Sequence, residues 1–209
     1  MTEIKLHKLF PVPVFEVQLP NYSKLNEDLE KYILDLKEKN PKGLTKSNAG
    51  GWHSPYFDMK NSNPVKQFIT NFSKPLYEVI SNHMNYKCNP KDVIILNMWS
   101  IINKKNTFNI KHNHPNSIMS AAYYVKAKKK SGKITFHDPK DVKVMYHPPI
   151  KEHNEISCEE VKIEPEEGKL LLFPAYLQHS VEENLSEDER IVISFNINIA
   201  RANQQINYF

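Results

Sequence analysis

The spacing of apolar residues changes partway along the chain, and this change predicts a helical part followed by a strand-rich part. In 25–36 and 65–80, apolar side chains recur three to four residues apart, which predicts two amphipathic helices. Ser23 is expected to cap the first helix and Asn63 the second. A strand over 10–19 precedes them, and its two prolines favour a place at a sheet edge.

The second part consists of short runs rich in Val, Ile, Tyr and Phe, separated by turn residues. Eight such strands without intervening helices are typical of a sandwich, barrel or jelly roll. The expected strands lie near 93–102, 107–113, 117–127, 133–137, 156–163, 169–173, 178–183 and 190–200.

These elements predict one domain over residues 1–209. Residues 1–91 are expected to supply an N-terminal strand and supporting helices, residues 92–200 the β core, and residues 201–209 a C-terminal tail. Between the helices, 40–61 contains several Gly and Pro residues and predicts a long loop, a type of segment that is often functional.

Charge, hydropathy and cysteine content limit the expected partners and cellular location of the protein. A net charge of +4 is spread along the chain without a nucleic-acid-binding motif, so the sequence does not favour a nucleic-acid partner. No apolar run is long enough to span a membrane, and no signal peptide is evident at the start. The two distant cysteines favour reduced thiols and a cytoplasmic location. A monomer and a homodimer both remain open.

Three histidines are the candidate metal ligands. His112 and His114 are two residues apart on an expected strand, so their side chains point to the same side of the sheet. Burying two adjacent imidazoles is favourable when a metal uses their lone pairs. His179 follows a buried apolar strand and is placed to complete the set. Each histidine alone is also compatible with a surface or hydrogen-bonded core position.

Arg190 begins the most β-prone run of the chain and shares one face of that strand with Ser194. A guanidinium at the start of a core strand needs an anionic partner, and a carboxylate bound in a bidentate fork fits it. Glu187 and Glu189 are alternative partners in a salt bridge. On the strand after the His pair, Tyr124 is the preferred candidate for a hydroxyl that donates to a ligand carboxylate.

The order of these motifs resembles the iron(II)- and 2-oxoglutarate-dependent oxygenases, especially the prolyl-hydroxylase-like branch. The resemblance covers roughly residues 92–200, and the combined order is more specific than any single motif. The segments that carry it are HNHPNS (112–117), SAAYYV (120–125), SGKITFHDP (131–139), LFPAYLQHSV (172–181) and, in the long loop, GGWHS (50–54).

The resemblance implies a double-stranded β-helix, mainly β with flanking helices, that holds iron(II) and takes 2-oxoglutarate as cosubstrate. It implies that His112 and His179 are metal ligands and that Arg190 binds the far carboxylate of 2-oxoglutarate. Tyr124 matches a position whose hydroxyl often supports that carboxylate. Ser194 lies two residues beyond the serine of many relatives, so it is at most an indirect helper. The reaction implied is hydroxylation of an unidentified substrate by O₂, with release of succinate and CO₂.

The sequence departs from the family pattern at one ligand. The usual triad is two histidines and one carboxylate, and His114 occupies the carboxylate position. We favour three histidines; alternatively, Asp138 supplies the carboxylate from a neighbouring strand, or one coordination position is left to water.

Two other functions compete with this hypothesis. One is a cupin-like three-histidine dioxygenase that does not use 2-oxoglutarate, and the other is a non-enzymatic, ligand-binding jelly roll. In the oxygenase hypothesis, Trp52, His53 and Tyr56 of the long loop are expected to lie over the open end of the site as a substrate lid. For Trp52, packing over a helix is the alternative.

Overall fold

The computed structural model describes residues 2–140 and 148–200, and its main feature is a pair of antiparallel β-sheets with two helices on one side. The expectation of a mainly β fold with flanking helices is confirmed. The tail expected at 201–209 lies outside the described residues.

The larger sheet has six strands in the order β1-β9-β6-β11-β4-β3. Its edge strand β1, expected over 10–19, is shorter than expected but does lie at an edge. The six strands of this sheet are β1 Phe15–Gln18, β3 Trp52–His53, β4 Val93–Asn103, β6 Met119–Lys126, β9 Lys169–Pro174 and β11 Arg190–Ile199.

The smaller sheet has five strands in the order β2-β5-β10-β7-β8. All eight strands expected in the second part of the chain are present across the two sheets, although the one expected over 156–163 is shorter. The bounds here are β2 Asn48–Ala49, β5 Phe108–His112, β7 Ile134–His137, β8 Glu160–Ile163 and β10 His179–Val181.

Strand β6 shows how the larger sheet separates two cores. Tyr123 points to the helical side, where its hydroxyl donates to Asn26 Oδ1 at 2.6 Å. The next residue, Tyr124, points between the sheets and belongs to an apolar cluster with Phe136 and Phe173. The rings of Phe136 and Phe173 meet edge to face, with centroids 5.0 Å apart. The two tyrosines therefore serve different layers, as the alternation along a strand requires.

The helices are α1, Tyr22–Lys39, and α2, Asn63–Glu78. They cover the outer face of the larger sheet, where Phe72 of α2 stacks on Phe195 of β11 at 4.6 Å. The predictions of Ser23 and Asn63 as the helix caps are wrong: the N-cap of α2 is Ser62, and Asn63 is already its first residue. Asn21 precedes α1 in a left-handed conformation with φ 52°, which asparagine tolerates better than most residues. Among the described residues, no helix is sufficiently long and apolar to cross a membrane.

The expected loop over 40–61 is partly wrong, because it contains β2 and β3. These two-residue strands pair with β5 and β4, so the segment joins the edges of both sheets. Two-residue strands give no visible alternation, and the flanking Gly50, with φ 77°, is a strong turn signal. The sequence pattern therefore indicated a loop.

Candidate metal centre and its cavity

A cavity of about 550 Å³ lies between the two sheets and contains the histidines expected to bind metal. Its volume is in the range typical of small-molecule sites. Both sheets contribute to its wall, through Trp99 of β4 and Val192 of β11 on one side and His112 of β5 on the other.

The structure brings His112, His114 and His179 together in this cavity. Their candidate ligand atoms all lie within 4.8 Å of one another, and the Nε2 atoms of His114 and His179 are 3.3 Å apart. The arrangement follows from register, because His179 of β10 pairs directly with His112 of β5. His114, two residues beyond His112, then faces the same point.

Hydrogen bonds fix the orientation of each imidazole. Nδ1 of His112 is 2.8 Å from the carbonyl oxygen of Ile110, and Nδ1 of His179 is 2.9 Å from that of Leu177. A carbonyl only accepts, so both rings carry the proton on Nδ1 and keep the Nε2 lone pair for a metal. His114 instead hydrogen-bonds the side chain of Asn196.

A hydrogen bond and an irregularity in the strand pairing position the Asn196 side chain. Ser120 Oγ donates to its Oδ1 at 2.8 Å, and the register of β11 against β4 shifts directly after Asn196. Irregularities of this kind re-aim side chains next to sites. The histidine that replaces the usual carboxylate thus has its own orienting partner.

Burial keeps the three imidazoles neutral. It lowers the pKa of His179 from 6.5 to about 3 and that of His114 from 6.5 to about 4, with repulsion from His112 as a second cause. It also lowers the pKa of His112. Because only the unprotonated ring binds metal, the cluster is in its binding form at neutral pH. Neutral imidazoles at this spacing fit iron(II) as well as zinc.

These pKa values predict that the metal-free protein loses stability in acid. The folded pKa values lie below the unfolded one, so the unfolded state binds more protons; the stabilisation is present above about pH 6.5 and is lost as the pH falls toward 4 and 3. The lowered pKa of His179 alone should reduce the free energy of unfolding at pH 5 by about 2 kcal/mol relative to pH 7.5. Urea denaturation of the metal-free protein at both pH values measures this change.

The matched comparison uses His179→Gln against His153→Gln, since His153 is an exposed histidine outside the cluster. The first variant should show a weaker pH dependence, and the second should behave as the native protein. An equal dependence in all three proteins would contradict the role of burial.

Arg190 also lines this cavity and is 1% exposed. Its Nη1 donates to the carbonyls of Ser131 and Gly132 at 2.6 and 2.7 Å, and its Nη2 donates to Asn103 Oδ1 at 2.8 Å. Its Nε is buried without a partner. Nε–H and one Nη2–H remain, and these nitrogens share one edge of the guanidinium. That edge matches the two oxygens of a carboxylate.

Arg190 has no carboxylate partner among the residues that the structure describes. The alternative partners do not serve it, because Glu187 pairs with Lys105 and Glu189 with Lys37. Burial lowers the pKa of Arg190 to about 10, so the guanidinium stays charged at neutral pH. A buried cation without a counter-charge is costly, which points to an anionic ligand.

Tyr124 and Ser194 also line the cavity. Tyr124 is 2% exposed, and burial raises the pKa of its hydroxyl, with Arg190 as an opposing influence. Within the described part of the chain, neither hydroxyl has a hydrogen-bond partner. Tyr124 is close enough to Arg190 for each to influence the pKa of the other, whereas Ser194 lies four residues beyond Arg190 on β11.

The alternative carboxylate is not brought to the histidines. Asp138 follows β7 and lines a second cavity together with the N-terminal segment. Its Oδ1 accepts from the backbone of Lys140 at 3.0 Å. It is absent from the described group of clustered metal-ligand atoms.

The lid expected from the long loop is wrong for Trp52. This side chain is 7% exposed, packs in the core on the helical side and donates from Nε1 to the carbonyl of Asn40 at 2.9 Å. Because β3 pairs with β4, its two residues point to opposite faces. His53 therefore does line the cavity, although it is buried in the wall and does not cover the opening.

Sequence reasoning missed Trp99 and the orienting role of Asn196. The indole of Trp99 stacks between His53 and His114, with centroids 5.8 and 5.7 Å away. Alternation along β4 could have placed Trp99 on the inner face, but nothing in the sequence pairs it with a histidine 15 residues later.

Comparison with known proteins agrees with this geometry. Residues 97–196 match the model of a family described as "Putative 2OG-Fe(II) oxygenase". The matched segment includes all three histidines, Arg190 and Tyr124. No curated protein sequence matches the chain significantly.

Solved structures with the same fold include several 2-oxoglutarate oxygenases. A Pseudomonas putida prolyl-4-hydroxylase superimposes with a TM-score of 0.64 at 12% identity, over 91% of this chain and 94% of that one. A Trichoplax adhaerens prolyl hydroxylase in complex with a hypoxia-inducible-factor peptide gives 0.63 at 13%, over 88% and 82%. HygX from Streptomyces hygroscopicus, with nickel, 2-oxoglutarate and hygromycin B bound, gives 0.61 at 12%, over 90% and 83%. The double-stranded β-helix expected from the sequence is confirmed.

Proposed function

We propose that this chain, whose residues 97–196 match the model of the 2OG-Fe(II) oxygenase family, hydroxylates its substrate at the three-histidine centre. The free edge of the buried Arg190 in a cavity shared with three neutral imidazoles carries this proposal. The usual carboxylate ligand is replaced by His114, and its hydrogen bond to Asn196 supports a built rather than a vestigial position.

The residues divide the work by position. His112, His114 and His179 would hold iron(II) through their ring nitrogens, and Arg190 and Tyr124 would bind the far carboxylate of 2-oxoglutarate. When bound, iron(II) with 2-oxoglutarate and O₂ supplies the oxidation, which yields succinate, CO₂ and a hydroxylated product. Ser194, which lines the same cavity, would contribute a polar contact from β11.

The two competing functions are less well supported. A dioxygenase that does not use 2-oxoglutarate gives no reason for a buried guanidinium with an unused edge. A non-enzymatic jelly roll gives no reason for three neutral imidazoles whose ligand atoms lie within 4.8 Å. Both features have a use when a metal and a dicarboxylate bind together.

The direct test is the visible absorption spectrum of the oxygen-free protein, recorded after iron(II) is added and again after 2-oxoglutarate. A keto acid chelated to iron(II) gives a charge-transfer band that iron(II) alone does not give. The proposal expects this band at one iron per chain. Bound iron without the band would favour the dioxygenase that does not use 2-oxoglutarate, and no bound iron would favour the ligand-binding jelly roll.

The third ligand is tested by a pair of substitutions. We expect His114→Ala to weaken iron(II) binding at least about tenfold, because it removes a ligand whose effect should exceed that of an outer partner. Asp138→Asn should leave iron binding unchanged, since Asp138 lies in another cavity. Iron content after anaerobic loading and desalting measures both. Retention by His114→Ala with loss in Asp138→Asn would instead identify Asp138 as the ligand.

The setting of the reaction is part of the same proposal. Two free cysteines, Cys88 and Cys158, support a reducing, cytoplasmic environment. O₂ is the second co-reactant, and nucleic acid is not proposed as a partner.

A further inference from the structure

The opening of the cavity is built from a segment that joins both sheets, here called the rim hairpin, residues 44–53. The backbone N–H of Leu44 donates to the carbonyl of His53 at 2.8 Å, and Ile110 N donates to Ser47 O at 2.9 Å. Asn48 stabilises it internally, accepting from Lys46 N at 2.8 Å and donating to Gly51 O at 2.6 Å. The residues on this hairpin are thus held in fixed positions at the opening.

Lys46 is the cation that this hairpin presents to the cavity. It lines the cavity wall, and its charge contributes to the lowered pKa of His53, after burial as the main cause. No carboxylate lies within 4.0 Å of Lys46 in the described part of the chain. Lys46 therefore places a positive charge at the cavity that no described carboxylate neutralises.

The charged side chains among the described residues that line the cavity are all cationic. None of the described residues that line it is Asp or Glu, whereas Lys46 and Arg190 both line it. On the proposed function, Arg190 pairs with the far carboxylate of 2-oxoglutarate deep in the cavity. Lys46 then remains as an unneutralised cation on the substrate side, and potentials of one sign in a cleft attract ligands of the other sign.

Apolar side chains also line the opening, alongside the polar Ser47 and Asn113. Leu44 is 39% exposed, Ile110 52% and Tyr56 63%, and all three line the cavity. Large apolar side chains that are exposed around a cavity indicate a surface that a ligand covers. Lys46 lines the same cavity, so a ligand that fills it meets both apolar side chains and a cation.

We propose that the substrate is a small organic acid with an apolar body, and that Lys46 binds its carboxylate. The inference rests on the proposed function for what happens at the metal but not for the binding itself. The apolar body would contact Leu44, Tyr56 and Ile110. The C–H bond to be oxidised would then lie on the side of the histidine cluster.

The test uses three probes of equal chain length: octanoate, octanamide and octylammonium. Each is titrated into metal-free protein, with and without excess 2-oxoglutarate, and followed by tryptophan fluorescence. Trp99 lines the cavity and reports binding, whereas Trp52 is outside the lining. We expect octanoate to bind about fivefold more tightly than octanamide, because one partly exposed charge-assisted hydrogen bond has an effect of about this size. Octylammonium should bind most weakly.

Two substitutions assign the preference to one lysine. Lys46→Gln should remove the preference for octanoate, and Lys46→Glu should shift it to octylammonium. The matched control is Lys111→Gln, because Lys111 is exposed on β5 and does not line the cavity. This substitution changes the net charge by the same amount as Lys46→Gln. The native preference should persist in that variant.

Three results would overturn the inference: no preference for octanoate in the native protein, a preference that survives Lys46→Gln, or octanoate binding that 2-oxoglutarate abolishes. The last would place the probe at Arg190. Since no metal or turnover enters this experiment, its outcome is separate from the iron spectrum that tests the proposed function. A positive result without the spectral band would retain the acid-binding site and remove only the oxygenase reaction.

Discussion

Replacing His179 by alanine should raise the dissociation constant for iron(II) by more than about 100-fold, beyond the range seen for loss of an outer partner, and abolish activity. His179 is the most deeply buried of the three imidazoles, at 4% exposed, and its Nε2 is 3.3 Å from that of His114. Without His179, iron(II) keeps only His112 at the end of β5 and His114 just after it, and has no ligand from the neighbouring strand β10. Iron content after anaerobic loading and desalting measures the effect.

The control for this substitution is His137→Ala. His137 is on the neighbouring strand β7, with Nε2 2.9 Å from Ser180 Oγ, and it is outside the described ligand cluster. It should bind iron as the native protein does, and circular dichroism should show the native fold in both variants. Native iron binding in a folded His179→Ala protein would remove His179 from the ligand set.

The parts of the site that lie on regular strands could be predicted from the sequence. His112 and His114 share a face because strand side chains alternate, and the same rule places Arg190 and Ser194 on one face of β11. These inferences need only local periodicity. What the sequence could not supply is the register between β5 and β10, which sets His179 opposite His112.

The rim hairpin shows where local reasoning ends. Its strands have two residues each, too few for alternation to be recognised, and they form because two sheet edges lie on either side. The opposite orientations of Trp52 and His53 depend on pairing with β4, about 50 residues away. The sequence therefore predicts Trp52 at the opening, whereas the structure buries its indole in the core on the helical side of the larger sheet.

The partners of Arg190 illustrate a second limit. The need for an anion could be inferred from a cation at the start of a core strand, but three of its donor contacts go to Ser131, Gly132 and Asn103. These acceptors come from a turn and a strand end that are distant in sequence, and two are backbone carbonyls, which carry no residue-specific signal. The structure shows that they fix the guanidinium and leave one edge for a ligand.

Arg190→Lys should raise the dissociation constant for 2-oxoglutarate by about 10- to 100-fold, which corresponds to about 1.5–3 kcal/mol for hydrogen bonds to a charged group. Lysine keeps the charge but has a single nitrogen, which cannot contact the carbonyls of Ser131 and Gly132, the amide of Asn103 and a carboxylate together. Titration of the iron-loaded, oxygen-free protein with 2-oxoglutarate, followed by the charge-transfer band, measures the change.

Iron(II) binding provides the internal control for this variant, because the three histidines have their own hydrogen-bond partners and none of these is Arg190. Tyr124→Phe removes only the one hydroxyl proposed to contact the same carboxylate, so it should weaken 2-oxoglutarate binding less than Arg190→Lys does. If Arg190→Lys binds 2-oxoglutarate within about twofold of the native protein, charge alone suffices and the bidentate edge is not used. A large loss with iron binding intact means that the geometry of the guanidinium, and not only its charge, selects the cosubstrate.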